Sequence, residues 1–491
     1  MSRRATLAGV IAAVLAATSA QLAAAQDTAS GRVSPPAPGP LRPYAFPRVE
    51  RFTLGNGVNV VVLKRNSLPV VSARIIVDAG ALHDRPASSG LAALTGALLT
   101  TGTRSLTGRQ LAERMERYGA VFETGADYHQ AGADLTVLAP AFADAFALAA
   151  TTVTEPSFPQ GEFDRLQRET LANIAQRRAS VEGLAPEAFA RAVFDSSSAY
   201  SRPAGGVPAT VSRLQRADVL RWYATAYGPR RTTVLIVGDI TPAAARQTVE
   251  RALGGWSTRA GTTSDSSTAT TPAAASARDR TGRVILVDRP GSVQSGIAVG
   301  QVAIAATDPD YLPMLTVHRV LGGGGNSRVN MNLRERHGYT YGAFSRFVAG
   351  RGSGTLAVES AVRSDVTDSA LVEALAEWRR IARDTIPEPE FRAAVNNLVS
   401  SFPNSVQTVQ GLRDRVSSAI TTGLPADFHA TYRERIAAIT PAGAHAAAAR
   451  VLRPDTPTVI VVGDLRTVEA RVRALGLGDV EVWDADGRRV R

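Results

Sequence analysis

The chain ends twice. Val234-Leu235-Ile236-Val237-Gly238-Asp239 matches Val459-Ile460-Val461-Val462-Gly463-Asp464. Each copy reads as a buried strand closed by Gly-Asp and followed by an Ala-, Arg- and Val-rich helix, at 242–253 and 467–474. Self-similarity of this kind is the signature of a duplicated unit. Between the copies, residues 257–280 read STRAGTTSDSSTATTPAAASARDR, with almost no large apolar side chain, and are expected to be a linker. The halves are then 45–256 and 281–491. At 491 residues the chain is long enough for each half to bury its own core.

The beginnings match more loosely. Phe52 to Leu63 contains Asn56-Gly57, a type I′ hairpin signal, ahead of alternating Val58, Val60 and Val62. Val284 to Val287 and Ile297 to Val302 take that part in the second half. Both halves then run strand, helix, strand pair, helices, final strand. The expected fold class is α+β: two homologous domains, each an antiparallel-rich sheet with helices over one face.

The sequence holds no cysteine, which excludes disulfides, thiolate zinc sites and cysteine nucleophiles. The six histidines are His83, His129, His318, His337, His429 and His445, and no two lie three or four residues apart. No single helix therefore offers a paired histidine site. A net charge of +11 invites nucleic acid as a partner, but Lys64 is the one lysine, and the arginines are scattered among acids, as in Arg334-Glu335-Arg336. No dense basic run with interleaved aromatics occurs, so nucleic-acid binding is not expected. No Gly-x-Ser-x-Gly elbow is present either, which argues against a serine hydrolase.

Arg3 and Arg4 precede an apolar run from Leu7 to Ala17, and Ala23-Ala24-Ala25 supplies small residues before Gln26. This pattern predicts a signal peptide over 1–25, followed by a flexible lead-in over 26–44 rich in Pro, Ser and Gly. No later stretch approaches the ~18 apolar residues of a membrane span, so no integral membrane association is expected. The chain reads as exported, periplasmic in a Gram-negative cell and secreted otherwise.

Ser88 and Ser89 are candidate caps for a helix through Leu91, Leu94 and Leu98 that Gly102 ends. The segment Gly90 to Thr103, GLAALTGALLTTGT, resembles the metal-site helix of the insulinase/pitrilysin family of inverted-zincin metallopeptidases. That helix carries His-x-x-Glu-His between the same flanks. Two histidines one turn apart hold zinc, and the Glu activates the metal-bound water. Here the three positions fall on Ala93, Gly96 and Ala97. The resemblance places the family's third ligand, a Glu on a later helix, at Asn173 within Leu171-Ala172-Asn173-Ile174.

The second half carries Leu321-Gly-Gly-Gly-Gly-Asn-Ser-Arg328 and then Leu333-Arg334-Glu335-Arg336-His337-Gly338-Tyr339-Thr340-Tyr341. The glycines lack a following Lys and are not a phosphate loop; they read as a helix stop after Leu321. The stretch resembles the second-domain signature of the same family, whose Arg and Tyr face the zinc across a chamber. The resemblance puts these roles on Arg334 and Tyr341, with Tyr339 as the rival tyrosine. Arginine offers a rigid fork of donors and tyrosine one O–H, both suited to carbonyl oxygen. Gly119 to Leu138 resembles the family's peptide-binding strand pair, and Val287 to Gly291 with Gln294 resembles the opening of its second domain.

Taken together the resemblance implies a member of the small two-domain type that lacks the zinc motif. It implies half of a clam-shell chamber and a non-catalytic subunit of a periplasmic zinc metallopeptidase heterodimer. That subunit would bind peptide or unfolded polypeptide and supply Arg334 and Tyr341 to a homologous partner bearing His-x-x-Glu-His. No cofactor is expected in this chain; zinc would reside in the partner. The alternative from another class is a catalytically inert peptide-binding or scaffold protein of the same fold.

Overall fold

The structure, a computed structural model, describes residues 44–257 and 282–491. The expected signal peptide, nearly all of the lead-in and nearly all of the linker lie outside the described residues. Twelve strands form two six-stranded sheets. The first holds β1 (Val49–Thr53), β2 (Asn59–Lys64), β3 (Val70–Val77), β4 (Val121–Ala126), β5 (Ala131–Leu138) and β6 (Thr232–Gly238). The second holds β7 (Val284–Asp288), β8 (Gln294–Ala303), β9 (Thr340–Ala349), β10 (Gly354–Arg363), β11 (Thr458–Gly463) and β12 (Val480–Trp483). The helices used below are α1 (Leu91–Leu98), α2 (Phe142–Thr154), α3 (Gln160–Arg178), α4 (Val181–Val193), α5 (Pro242–Leu253), α6 (Tyr311–Leu321), α7 (Thr367–Arg383), α8 (Glu388–Ser405), α9 (Val409–Thr421) and α10 (Pro441–Val451).

The sheet orders are β1-β2-β6-β3-β5-β4 and β12-β7-β11-β8-β10-β9. Five positions correspond strand for strand, and the repeated Gly-Asp ends β6 and β11 at the same place in each. Each repeated strand is parallel to one neighbour, β2 or β7, and antiparallel to the other, β3 or β8. The sixth position differs: β1 arrives from the N-terminal side antiparallel to β2, whereas β12 arrives from the C-terminal side parallel to β7. The second-half counterpart of β2 is thus β7 alone, and β8 answers to β3 rather than to the opening hairpin.

The hairpin itself is not type I′. That turn needs positive φ at both central residues, and of Asn56 and Gly57 only Gly57 has it, at 97°. Gly57 N–H donates to Leu54 C=O at 3.0 Å, and Leu54 N–H to Val58 C=O at 2.9 Å. The extra residue widens the loop and leaves Val60, Val61, Val62 and Leu63 all buried.

That four-residue buried run shows that helices cover both faces of the sheet, not one as the sequence suggested. On one face, Val60, Val62, Ile75, Leu135 and Ile236 pack with α1, α2 and α5 of the same half. On the other face, α9 of the second half lies against β3 and β6. The second sheet repeats the arrangement. Val284, Leu286, Val299, Val358 and Val461 face α6, α7 and α10. Ile285, Val287, Ala298, Ile460 and Val462 face Val181, Leu184, Ala188 and Phe189 of α4, from the first half. Each half lends one helix to the other.

A repeated corner turns the chain from one half into the other. Ser180-Val181-Glu182-Gly183-Leu184 and Thr408-Val409-Gln410-Gly411-Leu412 open α4 and α9. Ser180 and Thr408 cap their helices, their hydroxyls accepting from Gly183 and Gly411 N–H at 3.0 Å each. Both glycines sit against the end of the preceding helix. A Cβ on Gly183 would stand 1.9 Å from Arg177 C=O, and one on Gly411 2.5 Å from Ser405 C=O. Arginines just past β2 and β7 complete the exchange. Arg65 donates to Gln407 C=O at 2.7 Å and Arg289 to Ala179 C=O at 2.7 Å, each on the other half's corner.

Further ion pairs cross the seam. Arg413 reaches Ser72 Oγ at 3.0 Å and Asp134 Oδ1 at 3.3 Å, while Arg74 reaches Asp414 Oδ1 at 3.1 Å. Arg351 of the second half meets Asp78 Oδ1 of the first at 2.9 Å. Burial alone would raise the Asp78 carboxyl, but the hydrogen bond from His83 and the Arg351 guanidinium outweigh it and hold it below the usual carboxylate range.

Two predictions test the seam. Gly183→Ala and Gly411→Ala should each destabilise the chain by about 1–3 kcal/mol in urea unfolding, because the corner must open. Gly161→Ala, in α3 with open space around it, should be neutral or stabilising by up to about 1 kcal/mol. Equal effects at all three positions would refute the corner assignment. Asp78→Asn should cost about 1.5–3 kcal/mol at pH 7, the range for a hydrogen bond to a charged group. Because the folded carboxyl lies below its unfolded value near 3.9, its contribution is full above about pH 4 and is lost as pH falls through the folded value. The gap between wild type and variant should therefore close below about pH 4.

Candidate functional site

The helix that carries the metal motif in the resembling family is α1. Its N-terminus is held not by Ser88 or Ser89 but by Asp84. The Asp84 carboxylate accepts from Gly90 N–H at 2.8 Å and Ala92 N–H at 3.0 Å. Gly90, at φ 97°, supplies the bend that lets a residue six positions upstream act as the cap. Burial pushes the Asp84 carboxyl up to about 7 against the pull of these backbone donors. Ser89 is itself buried, and its carbonyl accepts from Thr210 Oγ1 at 2.7 Å.

Ala93 and Ala97 lie one turn apart on α1, both half-buried. Gly96 is buried against the backbone of β4. A Cβ there would stand 2.5 Å from Gly125 C, 2.6 Å from its carbonyl oxygen and 2.8 Å from Ala126 N. The position has been filled by the neighbouring strand, so no side chain of any kind enters without moving it. Asn173 lies on α3, which packs on α1, and is exposed. Methyl groups, a hydrogen and one amide do not make a zinc donor set. Among the described residues no three His, Cys, Asp or Glu cluster as metal ligands do.

Four of the six histidines have partners elsewhere. His83 bonds Asp78 at 3.2 Å and His129 bonds Tyr200 at 2.9 Å. His318 bonds Ser345 Oγ at 2.8 Å, and burial pushes it down to about 4, as it does His429. His337 stacks on Tyr339 with ring centroids 4.9 Å apart.

In the second half, α6 stops at Leu321, where Gly322 follows as the cap. The glycine loop then feeds the turn Arg328–Asn330 and a π-helical segment, Met331–Arg336. Two buried asparagines that the sequence reading passed over fix this geometry. Asn330 Nδ2 donates to Gly325 C=O at 2.7 Å, while its Oδ1 accepts from Ala343 N–H of β9 at 3.2 Å. Asn332 Nδ2 donates to Glu373 and Glu377 of α7 at 2.9 Å each. Arg328 is structural, forking onto Glu390 of α8 at 2.8 and 2.7 Å.

The wide π turn presents Arg334 outward, and Gly338, at φ 64°, reverses the chain into β9. β9 is the free edge of its sheet. Arg334 and Tyr341 come together there, with the guanidinium 5.2 Å from the ring centroid. Arg334 also lies 3.3 Å from Glu335, the ordinary partner of a surface arginine. Tyr341 is 90% exposed. Tyr339, the rival, packs half-buried against the core of its half.

Comparison with known proteins places this geometry. Residues 60–201 match the model described as Insulinase (Peptidase family M16), and residues 213–398 match that of the Peptidase M16 inactive domain. An uncharacterized zinc protease of Streptomyces coelicolor is 24% identical over 427 residues, 86% of this chain and 91% of that protein. The uncharacterized zinc protease YmxG of Bacillus subtilis is 19% identical over 75% of this chain and 87% of its own length. Among solved structures, a peptidase M16 inactive domain from Pseudomonas fluorescens superposes with TM-score 0.76 at 22% identity. It covers 84% of this chain and 98% of its own. A protease from Helicobacter pylori gives TM-score 0.78 at 15% identity, over 85% and 100% of the two chains. These structural likenesses show the two-domain fold.

The sealing of Gly96 is directly testable. Gly96→Ala should lower stability by about 1–3 kcal/mol by displacing β4, and Gly96→Glu by more. Ala93→His, on a half-buried surface, should cost under about 1 kcal/mol. Thermal unfolding that ranks Gly96→Glu as harmless would show that the position is open after all.

Proposed function

The chain belongs to the insulinase family of peptidases, M16, and within that family we propose that it is a non-catalytic homologue, the zinc-free subunit of an exported peptidase heterodimer. The observation that carries the reading is an asymmetry. The four metal-motif positions hold Ala93, Gly96, Ala97 and Asn173, while exposed Arg334, on the π turn, stands beside exposed Tyr341 of the edge strand β9. A structural role does not explain a tyrosine left 90% in solvent, since burial is where an aromatic ring contributes most to stability.

The proposed partner is a homologous chain bearing His-x-x-Glu-His. Its zinc would supply the activated water, and the two chains would enclose a peptide or unfolded polypeptide. Arg334 holds a substrate carbonyl and adds positive charge to the site. Tyr341 O–H, which bonds nothing among the described residues, donates to the scissile carbonyl oxygen as negative charge builds on it. The leader at 1–25 supports export, to the periplasm in a Gram-negative cell. No helix of the described residues is long and apolar enough to cross a membrane.

In the reconstituted complex, Tyr341→Phe should lower kcat by about 10²–10³-fold, with a smaller change in KM, because the bond matters most in the transition state. Arg334→Ala should harm both parameters. Tyr339→Phe should be nearly silent. Purified alone, the chain should carry far less than one zinc by elemental analysis and cleave no unfolded peptide. Wild-type turnover by the Tyr341→Phe complex would overturn the Arg/Tyr assignment. Failure of any His-x-x-Glu-His homologue to co-purify, with a tight self-dimer instead, would favour the inert scaffold reading.

A further inference from the structure

A second feature lies on the seam. A pocket of about 530 Å³ opens between the loop after α4 and the C-terminal segment around β12. Four arginines line it, Arg191 and Arg202 from the first half and Arg283 and Arg489 from the second, against one acid, Glu481. Glu481 is fully engaged. Arg283 reaches both of its oxygens at 2.8 Å, and the Trp483 indole N–H donates to one at 2.9 Å. Three further guanidinium groups line the same space.

None of the three holds a carboxylate alone: Arg191 shares Glu187, Arg489 shares Glu481 by charge only, and Asp84 acts on Arg202 without a hydrogen bond. Arg191 lies 3.5 Å from Glu187, which Arg178 already holds at 3.0 Å. Arg202 donates to Ser196 C=O at 2.7 Å and to Ser201 Oγ at 3.2 Å, neutral acceptors both. Arg489 makes no ion pair among the described residues. Burial pushes Arg191 and Arg202 below their ordinary values, as expected for cations drawn from water without full compensation. A half-buried cation that lacks a full ion pair favours a further counter-charge. Trp483 supplies an apolar wall, and the volume is that of a small-molecule site.

We propose that this pocket binds a small organic anion carrying two or more negative charges, a polycarboxylate or a phosphorylated metabolite, forked between Arg191, Arg202 and Arg489. Phosphate and carboxylate each offer two oxygens side by side, which the planar guanidinium fork grips with parallel hydrogen bonds. Because the arginines come from both halves, the ligand ties α4 to the second sheet and stabilises the interlocked form by mass action. The proposal does not depend on the peptidase partner or on Arg334 and Tyr341.

The test uses the whole chain, with inorganic pyrophosphate and citrate as probes at constant ionic strength and sodium chloride as the matched control. Calorimetric titration should give one saturable site, and thermal unfolding should shift upward with the same dependence. Tighter pyrophosphate binding would mark a phosphorylated ligand and tighter citrate binding a polycarboxylate; both support the site. Arg202→Ala should weaken binding at least about tenfold, the lower bound for a lost charged hydrogen bond. Arg202 also holds the Ser196 loop, so Arg489→Ala, on an exposed side chain, provides the second variant with the same expected loss. Arg488→Ala, its neighbour outside the pocket, should leave binding unchanged. Stabilisation no greater than chloride gives, or binding that survives both Arg202→Ala and Arg489→Ala, would overturn the proposal.

Discussion

A sheet covered by helices on one face still has a second apolar face to bury, and here that face is closed by a helix from the other half. Ile460 and Val462 meet Leu184 and Phe189 of α4, and α9 answers on β3 and β6. Neither half has a complete core alone. The exchange is reciprocal, so each half supplies the other's missing layer, and the two sheets are held in one fixed relation. The corner glycines make this possible. A Cβ at Gly183 or Gly411 would collide with a helix-end carbonyl, so α3 turns into α4, and α8 into α9, within two or three residues.

This fixed relation sets the fate of the two candidate sites. α1 lies in a closed layer between β4 and α3, where Gly96 has let the strand backbone approach until no side chain fits. The absence of a side chain at Gly96 is therefore built into the packing. Arg334 and Tyr341 sit instead on a free sheet edge, supported from behind by Asn330, Asn332 and Arg328. The π turn costs favourable backbone geometry, and three buried polar anchors offset that cost. A solvent-facing pair held by so much buried machinery is what a site requires.

The duplication was legible in the sequence because Val-Leu-Ile-Val-Gly-Asp and Val-Ile-Val-Val-Gly-Asp mark β6 and β11 directly. The pairing of Arg334 with Tyr341 was legible through family resemblance, not through periodicity. The exchange of helices was not read, since an apolar stripe such as Val181, Leu184, Ala188 does not name the sheet it will meet. A signal did exist. Ser-Val-Glu-Gly-Leu at 180–184 and Thr-Val-Gln-Gly-Leu at 408–412 repeat the corner, and the all-buried run Val60 to Leu63 denies an exposed face. The Asp84 cap escaped because it acts from six residues away through a glycine at positive φ, outside the local capping pattern. The arginine pocket draws on residues nearly three hundred positions apart, which no window along the chain can join.

Several of the arginines join the two halves across the seam. Arg65, Arg289, Arg351 and Arg413 all donate across it, to carbonyl oxygens, a hydroxyl or carboxylates. A guanidinium can satisfy several acceptors at once, and it remains charged throughout. Two sheets locked by exchanged helices leave helix ends and loop carbonyls facing each other across the join, and multidentate donors are what such a join requires. Around Arg191, Arg202 and Arg489 the pocket lining offers one carboxylate, Glu481, which Arg283 already holds. An anion from outside, as proposed, would add acceptors at this one stretch of the join.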